Sequence, residues 1–177
     1  MLVFERKEIY PQYNTSCIYG SVRSDRQGIK LVKFLTQQLQ NKEISVSIID
    51  PMELQLPLLD KMHKEYAPGE APLPMQMIHD ILVDVDGYII VSGEYNHSIP
   101  PALSNLLGHF QSEYYFKPAA LAVYSAGGFG GARVQDAFDV DGKDKSGKFE
   151  ARSKGFIDEF EWYLKTLKDG QKYKKPY

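Results

Sequence analysis

The chain has 177 residues, 43% of them apolar and 25% charged, and a formal net charge of −2. This is an ordinary composition for a globular protein, long enough to bury a sizeable core as one domain spanning residues 1–177. It gives no electrostatic reason to bind nucleic acid or an anionic membrane, and no run approaches the ~18 apolar residues of a membrane span.

In chain order, residues 15–19 (TSCIY) read as a short strand that ends at Gly20. From Gln27 to Gln40, apolar residues at 29, 31, 32, 35 and 39 recur at helical spacing. Residues 44–49 (ISVSII) alternate and are β-branched, a second strand closed by Asp50-Pro51. Residues 51–73 contain Pro51, Pro57, Pro68 and Pro72 and form a long irregular connection, a feature that is often functional in a compact domain. Pro74 opens a helix as its first residue, with Met75, Ile78, Ile81, Leu82 and Val85 on one face. Residues 87–92 (GYIIVS) are nearly continuously apolar, as a strand buried on both faces requires. A short helix at 101–109 and a further buried strand at 118–125 (PAALAVYS) follow. The last helix, 149–168, carries Phe149, Phe156, Phe160, Tyr163, Leu164 and Leu167 as its apolar stripe.

Strand–helix alternation of this kind predicts a doubly wound α/β sheet with right-handed crossovers. In such sheets ligands bind beyond the carboxyl ends of the strands. The loops leaving strands one, three and four, GSVRSDRQG, SGEYNHSIP and SAGGFGGAR, are polar and rich in Gly or Ser. They converge on one edge in this fold, which points to a bound cofactor.

The first of these loops admits two chemistries. In CIYGSVRS, Cys17 and Arg23 have the spacing of a phosphatase loop, with Cys17 as nucleophile. That reading requires the strand to end before Cys17, yet Pro11–Ser16 is too polar and too short for a central strand. With the strand at 15–19, Cys17 is a packed core residue. The loop then begins at Gly20. Ser21 supplies a hydroxyl and Arg23 a forked cation. Gln27, Gly28 and Ile29 open a helix whose N-terminus favours an anion, and Arg26 adds a second cation. Taken alone, the loop reads equally as a polar turn with solvated arginines.

GSVRSDRQG, SGEYNHSIPPALSNLL and YSAGGFGGAR, in that order and spacing, resemble the NADPH-dependent FMN reductases of flavodoxin-like fold, over residues 17–133 and again over the last helix. The resemblance implies a parallel sheet of order 2-1-3-4, FMN as cofactor and NADPH or NADH as electron donor. Ser21, Arg23, Arg26, Gln27, Gly28 and Ile29 would hold the FMN phosphate. Glu94, Tyr95, Asn96 and His97 would face the isoalloxazine ring, and Ser125, Gly127 and Gly128 would meet its pyrimidine edge. A hydride would pass from the nicotinamide to the flavin and on to a quinone, free flavin or similar small acceptor by ping-pong chemistry, with no protein group as acid, base or nucleophile. A homodimer or homotetramer is implied as well, with Glu113–Lys117 (EYYFK) and the 51–73 connection at the contact.

The chain departs from the family pattern in two places. Gly93 stands where the family often has Pro, and residues 132–148 are too few and too polar for the usual further helix and fifth strand. Either the sheet has four strands and an exposed edge, or the sequence lacks a segment that would join between Arg133 and Val134. These departures motivate the alternative of a flavin-binding redox sensor with little turnover. His63, His79 and His109 lack metal-ligand spacing. The single Cys fits a reducing compartment, and MLVFERKEIYPQ carries no secretory pattern, so a cytoplasmic protein is expected.

Overall fold

The computed structural model describes residues 12–125 and 137–175. Its elements run β1 (Tyr13–Tyr19), α1 (Ile29–Gln40), β2 (Ile44–Ile49), α2 (Leu73–Asp84), β3 (Gly87–Gly93), α3 (Pro101–Gly108), β4 (Ala119–Tyr124) and α4 (Lys148–Gly170). Short 3-10 turns lie at His63–Glu65 and Ser112–Tyr114. The four strands pair in parallel in the order β2-β1-β3-β4. Each predicted strand and helix is present. The differences are at the ends: β1 begins two residues earlier than expected, α1 begins at Ile29, and α2 begins one residue before Pro74.

The core forms in two layers because β1 alternates its side chains across the sheet. Cys17 and Tyr19 point to the face covered by α1 and α4, among Leu31, Val32, Leu35, Phe160 and Leu164. Ile18 points to the opposite face, among Met75, Ile78, Leu82, Leu103 and Leu106 of α2 and α3. β3 is buried at every position but one, as its unbroken apolar run requires.

β4 corrects an expectation. Its apolar run predicts a buried strand, but Ala119, Leu121 and Val123 are exposed, Leu121 at 60%. Only Ala120, Ala122 and Tyr124 pack inward, against the α1–α4 layer. The reason is position: β4 is the edge of the sheet among the described residues, and no described helix covers its outer face. The junction at Arg133–Val134 lies outside the described residues.

The last helix also shifts its buried stripe. Ile157, Phe160 and Leu164 are buried, while Tyr163 and Leu167, expected to be inside, are partly exposed. Residues 137–147 dock on α1 instead of adding a strand. Phe138 is fully buried, 4.9 Å from Phe34 and 5.0 Å from Phe149 between ring centres. Lys33 Nζ and Gln37 Nε2 donate to the carbonyls of Val140 and Asp141.

Candidate flavin site

The carboxyl ends of β1 and β3 bring the first and third loops together. Ser21, buried just past β1, lies 2.6 Å (Oγ to Oη) from Tyr95, which follows β3. This hydroxyl pair stitches the two loops side by side. Beyond it, Tyr95 and Ser98 exchange backbone hydrogen bonds of 2.8 and 3.0 Å. Asn96 and His97 fill the turn between them with φ of 50° and 61°. Asn and His tolerate the left-handed region better than most residues. The turn therefore projects both at its exposed tip, where His97 Nδ1 lies 3.1 Å from Glu94 Oε1.

α1 starts beside this pair. Among the described residues no side chain caps its N-terminus, and no acidic residue stands in its first turn. Its first N–H groups and the positive end of its dipole thus face the loop without a built-in anion. Arg23 is exposed and, among the described residues, its side chain pairs only with Asp25, at 3.3 Å, a contact of small energy between two solvated groups. Gln27 Nε2 donates to the Asp25 carbonyl.

Arg26 is placed differently. Its Nη1 donates to Asp50 Oδ1 at 2.5 Å and to the Ser21 carbonyl at 3.2 Å, and its guanidinium lies 5.2 Å over the Tyr19 ring. The hydrogen bond to Asp50 raises the pKa of Arg26 above its already high ordinary value, partly opposed by burial. Asp50 also accepts from Met52 N. In the sequence Asp50 marks only the end of the second strand. Its partnership with the first loop appears once β2 lies beside β1.

Beneath the helix start sits Tyr124, the last residue of β4. A Cβ added to Gly28 would lie 2.2 Å from Tyr124 Cζ, and one added to Gly93 would lie 3.1 Å from the same atom. Gly28 and Gly93 therefore leave the room that the ring fills. The ring is half-buried, and its hydroxyl donates to Tyr19 Oη at 3.4 Å. Burial pushes the Tyr124 phenol above its ordinary range. Nothing in the sequence marked Tyr124 apart from its place before the glycine loop.

Ser125 is half-buried directly after Tyr124. Gly127 and Gly128 lie outside the described residues. Cys17 is fully buried mid-strand, and burial pushes its thiol up to about 12. A thiol so far from ionising is no nucleophile at neutral pH.

The residues fit an FMN phosphate on this geometry. An uncapped helix N-terminus, a buried hydroxyl and a loosely held arginine share one loop at the sheet edge where such folds bind ligands. Among the described residues no helix is long and apolar enough to cross a membrane.

Residues 14–139 match the NADPH-dependent FMN reductase family. The chain is 25% identical over 135 residues to the NAD(P)H-dependent FMN reductase of Saccharomyces cerevisiae, covering 67% of this chain and 68% of that protein. Its fold is similar to that of the flavoenzyme NAD(P)H:(acceptor) oxidoreductase of Paracoccus denitrificans, with a TM-score of 0.69 at 18% identity, over 88% of this chain and 98% of that one. The NAD(P)H:quinone oxidoreductase of Methanothermobacter marburgensis aligns with a TM-score of 0.51 at 10% identity, over 82% of this chain and 78% of that one. With the match spanning most of the sequence, the chain belongs to the NADPH-dependent FMN reductase family of flavin-dependent oxidoreductases.

Proposed function

We propose that the protein takes reducing equivalents from NAD(P)H and delivers them to a small acceptor, a quinone or free flavin, in two separate half-reactions at one site. FMN, when bound, supplies the hydride chemistry at its own ring. The chain's residues bind and orient. Ser21, Arg23 and the backbone at Gln27, Gly28 and Ile29 hold the phosphate. Arg26 braces the loop from behind through Asp50 and the Ser21 carbonyl. Tyr95, fixed by Ser21, sets the height of the Glu94–His97 turn against the ring, and Ser125 begins the loop at the pyrimidine edge. Because donor and acceptor use the same exposed face, the first product leaves before the acceptor enters.

The observation that carries this reading is the Ser21–Tyr95 hydroxyl bridge beside the uncapped start of α1, since it joins a phosphate grip to a ring-facing turn. The redox-sensor alternative rested partly on Gly93. A Cβ there would stand 3.1 Å from Tyr124 Cζ, so glycine at this position also has a packing reason beside that motive. A purified sample reconstituted with FMN should bleach anaerobically with NADPH, and double-reciprocal plots against a quinone should be parallel. A protein that takes up no FMN sinks the reading; intersecting plots sink the two-step order.

We further infer a homo-oligomer, supported by the exposed apolar side chains Leu58, Leu73, Leu121 and Val123. The EYYFK segment contributes less than its composition suggested, since Glu113 is buried and Tyr114 packs 5.3 Å from Tyr88. Native mass measurement at micromolar concentration tests it, and a monomer alone refutes it.

A further inference from the structure

A second cluster lies on the α2–α3 side of the sheet, built from residues that are far apart in sequence. His63 belongs to the long connection after β2, His79 to α2, and Glu113 to the turn after α3. The two imidazoles stack, with ring centres 3.8 Å apart and planes 12° from parallel. Both turn the same nitrogen toward the same oxygen: His79 Nδ1 lies 3.0 Å and His63 Nδ1 3.7 Å from Glu113 Oε1. The three atoms lie within 4.8 Å of one another.

The surroundings hold the His63 ring by its far nitrogen. Gln76 Nε2 donates to Asp80 Oδ1, so Gln76 Oε1 is the atom that accepts from His63 Nε2 at 3.2 Å. His63 Nδ1 is thereby left facing Glu113. The other carboxylate oxygen is committed to Gln111 N, at 2.8 Å. Glu113 is only 5% exposed, and two imidazole nitrogens converge on its Oε1, that of His79 within hydrogen-bond distance at 3.0 Å. Two ring nitrogens and a carboxylate oxygen gathered at a largely buried point suit a cation.

We propose that His63 Nδ1, His79 Nδ1 and Glu113 Oε1 bind one divalent transition-metal ion of the zinc class. Two imidazole nitrogens and a carboxylate oxygen form a borderline donor set that such ions favour, with a fourth position left for water. Ligand atoms around a tetrahedral ion stand ~3.4 Å apart at ordinary bond lengths of ~2.1 Å, a value between the 3.0 and 3.7 Å separations of the two nitrogens from Glu113 Oε1, with no pair beyond 4.8 Å. The Asp80–Gln76–His63 relay is the outer support that metal-bound histidines usually have. Stacked rings cannot both hold an ion in plane, so binding splays them by side-chain rotation. The ion then ties the 51–72 connection to α2 and to the turn after α3. The site is separate from the flavin loops and needs no FMN.

The test is calorimetric titration of the chelator-treated, full-length chain with zinc chloride, with and without FMN. One ion per chain is expected. Affinity should fall more than ~100-fold in His79→Ala and ~10-fold in Gln76→Ala. Zinc should raise the melting temperature of the parent and not of His79→Ala. Since His79 is partly exposed, that variant keeps its fold where Glu113→Gln, at a buried position, could lose it. A parent chain that binds no zinc at millimolar concentration overturns the proposal. So does equal binding by the His63→Ala/His79→Ala double variant.

Discussion

Replacing Gly28 by Ala tests how the phosphate loop is held. The φ of −61° at Gly28 suits any residue, so backbone strain is not the issue. The added methyl would stand 2.2 Å from Tyr124 Cζ, 2.3 Å from its oxygen and 2.4 Å from Cε1, well inside contact distance. Either the half-buried ring swings away or the start of α1 shifts. Overpacking of this kind costs about 1–3 kcal/mol, and we expect about 2 kcal/mol in urea-induced unfolding of the FMN-free protein. Tyr124→Leu alone, which removes part of a packed ring, should cost about 1–2 kcal/mol. In the double variant the clash has no partner, so the two costs should not add, and the coupling should exceed about 1 kcal/mol. FMN affinity should follow the same pattern, because the helix start returns to its place. Additivity within about 0.5 kcal/mol would show that the ring does not seat the helix. A Gly28→Ala protein of parent stability would refute the argument outright.

Asp50→Ala should destabilise by about 2–3 kcal/mol, since it strips a largely buried Arg26 of its partner; an effect under 0.5 kcal/mol in the same unfolding assay would deny the brace. Tyr95→Phe should weaken FMN binding by about 3–10-fold through loss of one hydrogen bond, measured by quenching of flavin fluorescence, and Ser21→Ala should weaken it further, since it also removes the hydroxyl proposed to meet the phosphate. Cys17 should resist an aromatic disulfide reagent at pH 8 until the protein is unfolded, given a thiol pushed up to about 12; prompt labelling of the native protein would contradict its burial. Asp158, held down to about 2 by Lys154 and Lys42, contributes stability that is full above 3.8 and fades as pH falls toward 2. Asp158→Asn should flatten that part of the acid profile, and salt should shrink the difference because the group is exposed.

Much of the fold is legible because it rests on repeats of two and of three to four residues. The alternation in ISVSII and the apolar run in GYIIVS place β2 and β3, and the loops follow from where those runs stop. Five apolar positions mark helix α1, while Phe34, outside that stripe, is buried with Phe138 packed against it from more than a hundred residues away. β4 misleads for a related reason. AALAV looks buried because it is apolar, but apolarity states a preference, and the covering of the outer face depends on chain that is not adjacent in sequence. The same limit hid Asp50, Tyr124 and the His63–His79–Glu113 cluster. Each gains its role from a neighbour supplied by another segment, and spacing along one chain carries no trace of that.

The candidate site divides accordingly. Residues proposed to meet a ligand through local geometry, such as Ser21, Arg23 and the start of α1, announce themselves as a short motif. Residues that hold those in place do not. Arg26 illustrates the boundary: as sequence it is a second phosphate cation, and in the fold its charge is met by Asp50. A compensated arginine attracts a dianion less than a free one, yet it fixes the Ser21 carbonyl through its second hydrogen bond. The loop then presents Ser21 and Arg23 with little further ordering to be done when the phosphate arrives. Binding strength at this site should therefore depend on the Asp50–Arg26 and Gly28–Tyr124 contacts behind the loop as much as on the groups that touch the ligand, because preorganisation lowers the cost of ordering.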